Sequence, residues 1–177
     1  MNNQMPTRRH QPRRLLLGGG IAAAVALAVG IGAIANDTPT PASTSSALTT
    51  IAGDSVRLPA GKPAAMFFFS VSCGACVEGA RSLGEAATAA DRAGLVADFV
   101  AIDLDPRETA ETVAGFLAYV DAADVPAVID GGAELAQRFK VASLSTLIVV
   151  NADGEVTFRG TDSDAATITA ELEKAGA

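Results

Sequence analysis

Two cysteines, Cys73 and Cys76, are the residues whose type and spacing could do chemistry. They form a C-x-x-C motif, and the chain has no other cysteine. A strongly apolar run at residues 64–72 precedes the motif and predicts a buried strand. From residue 74 to 90 apolar side chains recur every three or four positions, which predicts a helix. The two thiols are therefore expected where a central strand becomes a helix.

That position favours redox chemistry. Unpaired N–H groups and the dipole at a helix N-terminus stabilise a thiolate, so the pKa of Cys73 should be lowered and Cys73 should attack. Cys76, one turn inside, is then placed to resolve a mixed disulfide. Between them Gly74 and Ala75 offer neither charge nor a polar side chain. We therefore predict a catalytic redox pair.

Other uses of the two cysteines are weaker. A zinc site needs about four ligands, but the only histidine is His10, far from the motif. Haem attachment would require histidine where Val77 stands. A purely structural disulfide is the serious alternative, although so short a loop constrains little of the unfolded chain. We predict no metal and no cofactor besides the disulfide itself.

The first 35 residues predict export. Four arginines precede residues 15–35, a run of 21 residues without a charge that is long enough to cross a membrane as a helix. Arginines stay in the cytoplasm, so the rest of the chain should lie outside. The run ends in Ala33-Ile34-Ala35, a pattern that signal peptidase cuts, so an uncleaved anchor and a cleaved signal both stay open. The predicted location is the cell membrane, single-pass, or secreted or periplasmic if cleaved.

Composition separates a tether from a folded domain. Residues 37–52 are rich in Thr, Ser, Pro and Ala and predict a flexible linker. From residue 36 onward nine basic residues face 20 acidic ones, which argues against a nucleic-acid partner. The predicted organisation is a basic cytoplasmic segment at 1–14, an anchor or signal at 15–35, a linker at 36–53 and one domain at 54–177.

Further elements follow along the domain. The pattern predicts strands at 95–103 and 125–129, helices at 108–120 and 133–139, a hairpin at 145–160 turning at 151–154, and a last helix ending near Lys174. We expect Asp162 or Ser163 to cap that last helix. A parallel strand pair followed by a hairpin implies an α/β fold, a mixed central sheet with helices on both faces.

The chain resembles the thioredoxin superfamily, and within it the membrane-tethered TlpA/ResA-like group. The resemblance runs from about residue 58 to 175 and rests on FFFSVSCGAC, VAIDLD, VPAVIDGGAELAQRFKV and STLIVVNADGEVTFRG. It implies a thioredoxin-like fold, protein or small-molecule thiol and disulfide substrates, and a membrane electron donor or acceptor.

Three positions depart from that group. Ser72 stands where an aromatic residue usually precedes the first cysteine, and Phe67 stands where thioredoxins keep a buried carboxylate. Ser145, just before Thr146, stands where the group has a substrate-binding cis-proline. A cis bond before a non-proline residue is costly, so we expect a trans bond and a serine hydroxyl that can contact a thiol. Restoring proline should raise activity if the fold accepts the cis bond.

Three functions remain open from the sequence. The leading one is an extracytoplasmic thiol:disulfide oxidoreductase that reduces protein disulfides through Cys73 and Cys76. The second is an oxidase of secreted proteins, with the electrons flowing the other way. The third is a binding module with little turnover, which the serine at position 145 favours.

Overall fold

A computed structural model describes residues 46–177, and these form a five-stranded mixed sheet and a two-stranded hairpin. The hairpin joins β1 to β2, and the order in the large sheet is β5-β4-β3-β6-β7. The strands are β1 Ser46–Thr49, β2 Ser55–Leu58, β3 Ala64–Phe69, β4 Asp98–Asp103, β5 Ala127–Ile129, β6 Thr146–Val150 and β7 Val156–Thr161.

Strand β3 lies at the centre of the sheet. It pairs in parallel with β4 and antiparallel with β6, so the predicted mixed sheet is confirmed. Every residue of β3 is buried, which explains its unbroken run of apolar residues. Phe67 and Phe69 face a core that includes Cys76, whereas Met66 and Phe68 face the opposite core.

Four helices cover the sheet: α1 Cys76–Ala93, α2 Ala110–Tyr119, α3 Glu134–Arg138 and α4 Ala165–Lys174. Helices α1, α2 and α4 contribute buried residues to the core on the Cys76 side. Helix α3 and the β1–β2 hairpin supply Leu135, Leu48 and Val56 to the other face. The helices thus lie on both faces, as predicted.

Three predicted boundaries are corrected. Helix α1 begins at Cys76 rather than at residue 74, because residues 73–75 form a turn. Asp164 caps α4, with its side chain accepting from Thr167 N, so the prediction of Asp162 or Ser163 was wrong. The predicted linker reached too far, because residues 46–53 form β1 and its turn, and Leu48 packs on a core.

The predictions for residues 1–45 lie outside the described residues. They comprise the basic segment at 1–14, the anchor or signal at 15–35 and the first part of the linker. Among the helices of residues 46–177, none has the length and apolar character needed to cross a membrane.

Candidate active site

Cys73 and Cys76 form a disulfide at the junction of β3 and α1. Their Cα atoms lie 5.3 Å apart. Cys73 is partly exposed in the turn, whereas Cys76 is fully buried as the first residue of the helix. Solvent or another protein can therefore reach Cys73 but not Cys76.

The N-terminus of α1 can stabilise negative charge at Cys73. Ala75 at the N-cap provides no side-chain acceptor, so the N–H groups of the first turn are not neutralised by a cap. Glu78, which could have opposed a thiolate, points away into solvent and pairs with Arg81. Gly74 and Ala75 are exposed beside the disulfide and leave the surface around Cys73 without bulky groups.

Ser145 faces this turn from the start of β6. Within residues 46–177 the cis peptide bond is Leu58–Pro59, so the Leu144–Ser145 bond is trans as predicted. Ser145 is buried and adopts φ 60°, in the left-handed region. Its Oγ lies 3.1 Å from Asp162 Oδ1 and 3.5 Å from the Ala75 carbonyl oxygen. The hydroxyl therefore bonds to these oxygens, whereas the sequence had suggested a contact with a thiol.

Thr146 is as deeply buried as Ser145. It is buried in β6 between β3 and β7, and its hydroxyl donates to the Ser143 carbonyl at 2.7 Å. Leu144, on the other side of Ser145, is 38% exposed. The exposed side chain next to Ser145 in this loop is thus that of Leu144, which the sequence did not point to.

Phe67 fills the position where thioredoxins keep a carboxylate. Its ring presses against Gly79 of α1, where an added Cβ would lie 2.5 Å from the ring and 3.3 Å from Ser145 Oγ. A real Cβ cannot occupy that space. Glycine at position 79 therefore allows α1, the Phe67 ring and the Ser145 loop to meet.

Glu108, in the loop before α2, bonds to the segment that leads into the motif. Its Oε1 accepts from Ser70 Oγ at 2.8 Å, and its Oε2 accepts from Val71 N at 2.9 Å. Ser70 Oγ in turn lies 2.8 Å from Ser72 Oγ and accepts from Ser72 N. Sequence reasoning missed Glu108, because nothing in the spacing of residues 70 and 108 predicts contact.

Asp103, at the end of β4, is fully buried beside Glu108. Burial raises the pKa of Asp103 to about 7; a hydrogen bond from Asp105 N opposes this shift, and Glu108 adds to it. Asp103 Oδ2 is buried with no donor among the described residues. The sequence contained one signal for this group, a carboxylate that directly follows the apolar residues 99–102 of β4.

A cleft of about 400 Å³ lies next to this network and is bounded on one side by Leu144. Ser70, Ser72, Pro106 and Arg107 contribute to its walls. The Arg107 guanidinium is bound to Asp105 at 2.8 Å. In residues 46–177 no group of three or more metal-binding side chains could hold an ion, and the predicted absence of a cofactor stays a prediction.

Comparison with known proteins agrees with this geometry. The sequence profile of the Redoxin family matches residues 35–176. "Mercury resistance operon ORF3" of Streptomyces lividans is 53% identical over 122 residues, covering 69% of this chain. The chain spans 65% of that relative's length.

Solved structures share the fold at low sequence identity. The structure of MTB DsbF in mixed oxidised and reduced forms has a TM-score of 0.64 and 19% identity, covering 76% of this chain and 98% of that one. A secreted Mycobacterium tuberculosis disulfide oxidoreductase homologous to E. coli DsbE has a TM-score of 0.60 and 20% identity, covering 73% and 96%.

The chain combines a thioredoxin-like fold with a C-x-x-C disulfide at the start of its first long helix. This chain belongs to the Redoxin family. The resemblance that the sequence suggested is thereby confirmed for the family and the fold.

Proposed function

We propose that this protein reduces disulfide bonds of protein or small-molecule substrates outside the cytoplasmic membrane. The Cys73 thiolate attacks one sulfur of the substrate disulfide, forms a mixed disulfide and releases one substrate thiolate. The Cys76 thiolate then attacks the Cys73 sulfur, releases the second substrate thiolate and leaves the Cys73–Cys76 disulfide. Two electrons have passed to the substrate, and a membrane donor of two electrons and two protons restores the dithiol.

The observation that carries this proposal is the unequal exposure of the two cysteines. A substrate disulfide can approach Cys73 but not the fully buried Cys76. Cys76 lies within disulfide distance of Cys73, so it can resolve a mixed disulfide without leaving its place in α1.

The carboxylates of the two loops beside the pair act against the N-terminus of α1, which stabilises the Cys73 thiolate. Glu108 bonds to the segment before Cys73, and Asp162 bonds to Ser145 opposite the turn. The cation lining the adjacent cleft, Arg107, is already paired with Asp105. Negative charge disfavours a thiolate and so stabilises the disulfide relative to the dithiol, which makes the dithiol the stronger reductant.

A reduction potential measurement tests the direction. The full chain is equilibrated with glutathione buffers, and the dithiol and disulfide fractions are counted by thiol alkylation. We expect a potential of about −250 mV or lower, as for reductases. A value near about −120 mV would instead assign the oxidase function.

The proposed location rests on the arginines and the uncharged run at residues 15–35. The N-terminal segment would then bring the domain to the membrane, and the electron donor would lie in that membrane. A phosphatase that is active only after export, fused behind Ala177, should be active. An intact but inactive fusion would rule out this topology, and sequencing the mature N-terminus decides between anchor and cleaved signal.

Capture of mercuric ion is a second candidate function, favoured by the 53% identical relative named for a mercury resistance operon. Soft thiolates bind soft metal ions strongly. In the reduced protein, Cys73 and Cys76 could both bind one Hg²⁺, with release of their two protons and no change of oxidation state.

Titration of the reduced full chain with Hg²⁺ tests this second function. One ion per chain should bind, and the Cys73→Ser variant should lose this binding in competition with dithiothreitol. Binding no tighter than that of dithiothreitol would leave disulfide reduction as the function of the pair.

A further inference from the structure

The segment from Ser70 to Cys73 is held by hydrogen bonds that end on one carboxylate. Ser70 Oγ and Val71 N both donate to Glu108. Because the Ser70 proton is used there, the hydrogen bond between the two serines has Ser72 as its donor. Ser72 N also donates to Ser70 Oγ, and Cys73 N donates to the Ser70 carbonyl.

A neutral isostere of Glu108 would change the hydrogen bonds of this network. The two oxygens of Glu108 face two donors, one on each. Glutamine would offer one acceptor and one amide N–H₂, so Ser70 Oγ would have to accept from the amide and turn its own proton to Ser72 Oγ. An amide also accepts more weakly than a carboxylate, so the segment would be held less firmly.

Asp103 is a second carboxyl group, which is buried next to Glu108. Its Oδ1 accepts from Asp105 N, whereas its buried Oδ2 has no donor. A proton on Asp103 Oδ2, directed at Glu108, would turn this unpartnered oxygen into a donor.

The other charged groups near Asp103 are already engaged. Asp105 is paired with Arg107, whose hydrogen bond lowers the pKa of Asp105 to about 2. Asp130, which follows the neighbouring strand β5, accepts from Leu135 N and Ala136 N. Neither aspartate therefore supplies the missing proton.

We propose that Asp103 keeps a proton directed at Glu108 and that Glu108 is a positioning residue, which holds the segment bearing Cys73 and sets the stability of its thiolate. The proposal rests on Cys73 being the attacking thiol.

The thiol pKa of Cys73 measures this directly. The alkylation rate of Cys73 is followed against pH in the reduced full chain carrying Cys76→Ala, with and without Glu108→Gln. Removing the negative charge should stabilise the thiolate, so the Cys73 acid dissociation constant should rise about fivefold or more. Glu111→Gln, an exposed change on the first turn of α2, is the matched control and should have no effect.

A second variant keeps the test decisive if Glu108→Gln fails to fold. In Asp103→Asn the amide can donate to Glu108 in place of the Asp103 proton. The alkylation profile of the parent should show a second inflection where Asp103 titrates, and Asp103→Asn should lose it.

Equal profiles for the Glu108→Gln and Glu111→Gln chains would overturn the proposal, as would an inflection that survives Asp103→Asn. Alkylation needs no disulfide substrate. If the chain fails to exchange with glutathione, the proposed reductase function is contradicted. The alkylation profile of Cys73 can still be measured in that case.

Discussion

Two loops flank the disulfide, and each contains a serine that bonds to a carboxylate. Each loop also contains one of the positions, 72 and 145, at which this chain departs from the group that it resembles. On the Cys73 side, Ser70 bonds to Glu108. On the opposite side, Ser145 bonds to Asp162. The first carboxylate also accepts a backbone N–H and lies beside the buried Asp103, whereas Asp162 is exposed.

This difference indicates that the two loops have different roles. The loop held by Glu108 is tied by short hydrogen bonds at 2.8 and 2.9 Å and should govern the chemistry of Cys73. The Ser145 loop has longer hydrogen bonds, a left-handed serine and the exposed Leu144, and should govern how substrates dock. The predictions below test this comparison.

Both loops matter only if Cys73 is the sulfur that substrates reach. Cys73→Ser should abolish disulfide exchange, and Cys76→Ser should trap mixed disulfides because the resolving thiol is gone. Non-reducing gels of each variant after reaction with an oxidised substrate provide the measurement. Trapping by Cys73→Ser instead would reverse the roles and undo the comparison.

Gly79 is the point where the helix carrying Cys76 meets the Ser145 loop. Gly79→Ala should destabilise the fold by about 1–3 kcal/mol, since the new methyl group would overlap the Phe67 ring. Urea unfolding measures this change. Gly115→Ala, on the exposed side of α2 with no atom within 4 Å of the new Cβ, should instead stabilise by up to about 1 kcal/mol. Equal effects would mean that the contact at Gly79 is not tight.

Ser145→Pro tests the docking loop. Proline requires φ near about −65°, whereas Ser145 has φ 60°, so we now expect the variant to lose more than about 1 kcal/mol of stability. The sequence alone had suggested a gain in activity. Melting temperature and insulin reduction are measured together, with Ser145→Ala as the control that leaves φ free. A stable proline variant with raised activity would show that the loop can adopt the usual cis form.

A further prediction concerns the pH dependence of stability. The pKa of Asp103 is about 7 in the folded chain and near 3.8 when unfolded, so the folded state binds the proton more tightly. Its contribution to stability is complete below pH 4 and is lost as pH rises through 7. Denaturation between pH 5 and 8 should show a decline that Asp103→Asn flattens. An unchanged decline would place the titrating group elsewhere.

The local patterns in the sequence were sufficient for the order of elements and for the redox pair. An apolar run of six residues at β3 and a 3.6-residue period after it put Cys73 and Cys76 at a strand-to-helix junction. The hairpin turn at residues 151–154 was also predicted, since asparagine, aspartate and glycine favour turns for local reasons. These features depend on neighbours in the chain, which the sequence displays.

Errors arose where short polar residues compete for the same local role. Asp162, Ser163 and Asp164 could each cap α4, and only the direction in which the chain leaves β7 selects Asp164. The linker was extended too far because residues 46–53 are mostly small, while the order of residues 46–49 comes from pairing with β2.

What surrounds the disulfide was decided by tertiary structure. Glu108 meets Ser70 across 38 residues because β3 and β4 end at the same edge of the sheet. Asp162 reaches Ser145 because β7 pairs with β6. The sequence determines which groups can carry a charge or a thiol, but the pKa values of these groups depend on burial and on partners that are distant in the chain. The register of paired strands sets both, and no local pattern encodes it.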